Sequence, residues 1–183
     1  MRIRPLLIAA LVTVACSRQQ AKPAPPDPAV VTRNFLTWAL QTSMSDADLG
    51  AIASRRAHES QTRVLAQQMA RDNAALHSEL VLIAQQHGIA APAQLEERRR
   101  ALKENLLILP GQVFDRGFTL AVAQDSAFML RGFDTSSDPA IKQLAARYRP
   151  LITQQDKTSR QILDSIGGSP FGYAPEAGAP PPF

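Results

Sequence analysis

Residues 61–88, QTRVLAQQMARDNAALHSELVLIAQQHG, decide the fold. Apolar side chains recur there at Leu65, Met69, Leu76, Leu80 and Ile83, in steps of four, seven, four and three. That spacing puts one stripe on a helix, and no alternating strand pattern competes with it. Asp72 fills the step between Met69 and Leu76, so a carboxylate interrupts the stripe near its centre. Gly88 follows His87 where a helix ends and a left-handed residue is wanted.

The same rhythm runs outward in both directions. We expect long helices over about 32–58, 61–88, 111–134 and 138–166, with a shorter one over about 93–108. Pro110-Gly111 separates the short helix from the third long one, and Ser137-Asp138-Pro139 starts the fourth. Glu96 and Glu97 favour the first turn of the short helix. Similar lengths and short connections predict an all-α fold, an antiparallel four-helix bundle with a short extra helix between the second and third long ones. Its expected stripes are Phe35, Trp38, Leu49 and Ile52 in the first helix, and Phe114, Phe118, Val122, Met129 and Phe133 in the third. In the fourth they are Ile141, Leu144, Tyr148, Leu151, Ile162 and Ile166. Gly50, Gly117 and Gly132 lie inside helices, at about 1 kcal/mol each against Ala, and close helix approach is the expected compensation.

Every stripe carries a polar residue near its midpoint: Asp46, Asp72, Asp125 and Gln155. Midpoints of antiparallel helices share one height. These four should therefore meet in one slab, with Asn73 and Ser126 beside them. Three carboxylates in a core need a cation, shared protons or a nearby arginine. One reading is a metal or small-ligand site formed by Asp46, Asp72 and Asp125. The other is a hydrogen-bonded polar layer that fixes helix register.

The ends of the chain differ from the middle. Arg2 and Arg4 precede an uncharged, mostly apolar run, Pro5 to Ala15, about half the length that spans a bilayer. It reads as a signal peptide over 1–15. Ala15-Cys16-Ser17 resembles a bacterial lipobox, with Thr13 where Leu is usual. Cys16 is the only cysteine and stands where lipidation requires it. The expectation is a protein held at the membrane by its N-terminal lipid, with Ser17 permitting delivery to the outer membrane, facing the periplasm. Residues 16–29 read as a Pro-rich tether of about 40 Å, residues 30–166 as the bundle, and residues 167–183 as a disordered Gly- and Pro-rich tail.

Composition narrows the chemistry. The chain has 183 residues, 20 basic and 16 acidic. Loss of Arg2 and Arg4 with the leader leaves +2, no footprint for nucleic acid. A lipidated Cys16 leaves no thiol for a disulfide, a zinc site or a nucleophile. His58, His77 and His87 are scattered, none spaced i, i+4, and each is expected on a surface or flank. There is no nucleophile elbow, phosphate-binding loop or dinucleotide fingerprint. Arg98, Arg99, Arg100 and Lys103 form a basic run, expected as a solvated face that could also touch anionic lipid or cell-wall polymer. Asp115, early in the third long helix, is expected to favour that helix's own dipole.

Met44-Ser-Asp46, Met69-Ala-Arg-Asp72-Asn73, Phe114-Asp115-Arg116, Gln124-Asp125-Ser126 and Pro150 followed by Gln155 resemble the bacterial family of domain of unknown function 4142, over roughly 34–165. The resemblance implies a ferritin-like exported helical bundle without an established activity. It also implies Glu at position 46 and His at the positions of Asn73, Ser126 and Gln155. All three imidazoles are missing here, so an oxygen-only site would suit a hard cation such as Ca²⁺ or Mg²⁺. The resulting expectation is a non-enzymatic envelope protein, structural or interaction-based, needing no cofactor, with an envelope protein or cell wall as partner. The alternative is a metal- or small-ligand-binding bundle using the central carboxylates.

Overall fold

The computed structural model describes residues 27–167. Five helices follow one another: α1 (Pro28–Arg56), α2 (Ser60–Gln86), α3 (Glu97–Leu107), α4 (Gly111–Thr135) and α5 (Pro139–Ser165). Cys16, the leader, most of the tether and residues 168–183 lie outside the described residues.

The helix ends follow local chemistry. Asp27 accepts from the Ala29 amide at 2.8 Å, with Pro28 at the first helical position. Asp138 accepts from Ala140 and Ile141, with Pro139 placed likewise. The expected tether therefore ends two residues early, because Asp27-Pro28 starts a helix for the same reason as Asp138-Pro139. At the end of α2 the Ile89 amide reaches the Ala84 carbonyl and the Gly88 amide reaches Gln85, with Gly88 at φ 66°. This is the paired closure that glycine permits. The short helix begins at Glu97, not near 93.

Two apolar clusters give the topology. One joins Phe35, Leu36 and Leu40 to Leu76, Leu80, Met129, Phe133, Ile141 and Leu144. It therefore unites the starts of α1 and α5 with the ends of α2 and α4. The other joins Leu49 and Ala53 to Leu65, Met69, Leu106, Phe114, Phe118 and Ile162, uniting the opposite ends. So α1–α2 and α4–α5 are antiparallel hairpins, and α3 straps back along the bundle to connect them. One end-to-end crossover between two hairpins is the ferritin-like connectivity.

Packing confirms the glycine reading. A Cβ on Gly50 would lie 2.8 Å from the Ala66 carbonyl oxygen and the Ala70 nitrogen, so α1 and α2 touch backbone to backbone. A Cβ on Gly132 would lie 2.1 Å from the Phe35 ring. The α5 stripe needs one correction: Ile152 is buried and Leu151 is exposed. Both fit a step from Tyr148, three residues against four, and only packing decides between them.

Candidate functional site

The polar level lies between the two clusters. On α1 it falls between Leu40 and Leu49, on α2 between Met69 and Leu76, on α4 between Val122 and Met129, and on α5 between Ile152 and Ile162. Thr42, Ser43, Ser45, Asp46, Asn73, Asp125, Ser126, Gln155 and Ser159 are all buried there. The common height expected from midpoints is thus present. Its internal arrangement differs from a single carboxylate slab.

Asp46 and Asp125 meet across α1 and α4 and share a side-chain hydrogen bond. Burial, and then the neighbouring Asp125 charge, push the Asp46 carboxyl well above the usual carboxylate range, while Arg99 pulls it down. Burial and the Asp125 charge thus both favour the protonated form of Asp46. Arg99 reaches in from α3. Its Nη1 donates to Asp125 Oδ2 at 2.6 Å, and its Nη2 donates to Asp125 Oδ1 at 3.0 Å and to Thr42 Oγ1 at 2.6 Å. Burial works against the guanidinium charge, yet Asp125, Asp46 and Glu96 together outweigh it and hold the group above its ordinary value. The guanidinium carbon also sits 5.9 Å from the centre of the Trp38 ring. Charge, hydrogen bonds and aromatic contact together satisfy a group that could not be buried alone.

Asp72 is not part of this cluster. It is half-buried and accepts from Gln155 Nε2 at 3.4 Å, on the α2–α5 side. Asn73 turns back to donate to the Met69 carbonyl of its own helix. Among the described residues, no group of three or more His, Cys, Asp or Glu converges as a metal-holding set. The chemistry of the donors agrees. Arg99 takes both Asp125 oxygens and burial disfavours ionisation of Asp46, and both work against a divalent cation between them.

The basic run requires correction. Arg98 and Arg100 are exposed and Lys103 pairs with Asp48, but Arg99 is only 8% exposed and closes the polar level. Phe114-Asp115-Arg116 also acquires a purpose. Phe114 fills the lower cluster and stacks on Phe118. Asp115, fully buried, accepts from the His58 and Glu59 amides at 2.9 and 2.6 Å and so closes the turn into α2. It is the fifth residue of α4, too far in to serve that helix's own dipole. Arg116 donates to the Ile166 carbonyl at the end of α5. Consecutive residues of α4 thus fasten one neighbour each.

The histidines take local posts. His58 lies beside Glu59, His77 Nδ1 sits 3.0 Å from Ser43 Oγ, and His87 Nε2 is 3.1 Å from Asp138 Oδ2. No pair of them converges on a shared centre.

Fold and site together define an all-helical bundle of two hairpins and a strap, with a central polar level neutralised from within. The chain belongs to the family described as domain of unknown function (DUF4142), whose model matches residues 17–162. No curated protein and no solved structure matches it.

Proposed function

We propose that this protein is a lipid-anchored module of the bacterial cell envelope, non-enzymatic, acting by structure or interaction, tethered through Cys16 in the outer membrane and facing the periplasm. The observation that carries the non-enzymatic part is the two-point grip of Arg99 on Asp125. It engages both oxygens of Asp125, which works against a role for that carboxylate as a free base or cation ligand. For the anchor, the supporting features are the apolar leader, the single cysteine at its end, and a family match that starts at residue 17, directly after Cys16. No helix among the described residues is long and apolar enough to cross a membrane. Two or more acyl chains anchor firmly where one binds marginally.

Two experiments test the two halves. Cys16→Ser should move the protein out of the membrane fraction or block its processing, and unchanged fractionation defeats the anchor. Protein purified without chelator should hold substoichiometric metal. Stoichiometric metal that is lost on Asp46→Asn/Asp125→Asn substitution defeats the non-enzymatic reading and favours the metal-binding alternative.

A further inference from the structure

Beside the buried cluster lies a cavity of about 330 Å³ between α3 and α4, open to solvent at one side. Trp38 and Phe128 form its apolar wall, their rings 6.2 Å apart and edge to face. Arg99 and Asp125 form part of its lining, and Glu96 and Arg98 stand at the rim. This volume is at the lower end of what small-molecule sites enclose.

Three features of the lining point to one kind of ligand. First, Arg99 has five N–H groups and spends three of them on Asp125 and Thr42. Its other two make no hydrogen bond to the described residues, and the side chain lines the cavity. Second, no side chain caps the start of α3, where the Glu97 and Arg98 amides begin the helix. An uncapped helix start attracts anions. Third, Arg98, Arg99 and Arg100 crowd the positive end of that helix, a placement that opposes the helix dipole. Glu96 and Glu97 offset it in part, and an incoming negative group would complete the compensation. Local rules broken in this way mark functional places more often than chance ones.

We propose that this cavity binds a small carboxylate with an apolar or aromatic body. The carboxylate would take the spare Arg99 donors, the Arg98 side chain and the α3 amides, while the body lies against Trp38 and Phe128. Asp125 does not oppose it, because Arg99 already neutralises that charge. Glu96 is the one carboxylate at the rim that would, which favours a single negative charge over a multivalent one. This site is independent of membrane attachment and of any metal.

Trp38 is the only tryptophan, so its fluorescence reports the cavity directly. The detergent-solubilised full chain would be titrated with phenylacetate, with phenylacetamide, with acetate and with inorganic phosphate, by fluorescence and calorimetry. Saturable binding is expected for phenylacetate, and at least about tenfold weaker binding for the neutral amide, for acetate and for phosphate. Arg98→Gln, on an exposed position that leaves the fold intact by circular dichroism, should weaken phenylacetate about tenfold or more. Phe128→Leu should weaken it without restoring the amide. No saturable signal up to about 10 mM, equal response to acid and amide, tighter binding of phosphate, or indifference to Arg98→Gln would each overturn the assignment.

Discussion

Replacing the buried acid Asp46 by Asn should stabilise the protein near neutral pH. Asp46 is 7% exposed and its carboxyl is held well above the usual range, chiefly by burial and next by Asp125. An unfolded chain ionises the same carboxyl near pH 4. From about pH 4 upward, the folded state therefore holds one proton that the unfolded state has released. Stability from this group is complete below the unfolded value and is lost as pH rises toward the folded one. The slope is about 1.4 kcal/mol per pH unit, and it flattens only once Asp46 ionises in the folded protein. Asn cannot ionise, and its amide can donate to Asp125 as the protonated acid does. Other titrating groups are common to both proteins, so the difference between them isolates Asp46. Urea unfolding followed by helical circular dichroism at pH 4, 5 and 6 would give the two curves. The wild type should lose stability relative to Asp46→Asn as pH rises over this range, at no more than about 1.4 kcal/mol per unit. Parallel curves, or a wild type that gains on the variant as pH rises, would show that Asp46 is ionised in the fold and that the proton-sharing picture is wrong.

Two further substitutions probe the frame around the site. Gly132→Ala places a methyl 2.1 Å from the Phe35 ring and should cost about 1–3 kcal/mol, with the Phe35–Phe133 contact shifted in near-ultraviolet circular dichroism. Asp115→Ala removes the acceptor of the His58 and Glu59 amides, and about 2–3 kcal/mol of stability should go with it. Those two amides should then exchange with solvent far faster by nuclear magnetic resonance, while the Gly88 closure at the other end of α2 keeps its rate.

Helices and polar level were legible because both rest on periodicity. Asp46, Asp72, Asp125 and Gln155 each broke an apolar stripe, and a stripe broken at its midpoint shows in one dimension. The partners of those residues were not legible. Arg99 lies 26 residues from Asp125 and 57 from Thr42, in a helix that buries only Arg99 and Leu106 along its whole length. Their spacing of seven does place them on one face, yet two positions are too few to separate an inward arginine from a solvated run. Asp115 misled for a related reason. Its local position suggested an effect on its own helix, whereas it serves the start of another one 56 residues away. The exclusion of a three-carboxylate set depended on rotation: Asp72 has the right height on α2 but faces Gln155, and height is all that a midpoint count supplies.

The grip of Arg99 on Asp125 is tested most directly by a double-mutant cycle of Arg99→Met, Asp125→Asn and the pair, in urea unfolding at pH 7. Either single change leaves one buried charge without its partner, a loss of about 3–5 kcal/mol, while the double change removes both charges. The expected coupling is at least about 2 kcal/mol, with the double variant more stable than the sum of the singles allows. Additive losses, with coupling under about 0.5 kcal/mol, would mean that the two side chains do not hold each other and that the polar level is neutralised in some other way.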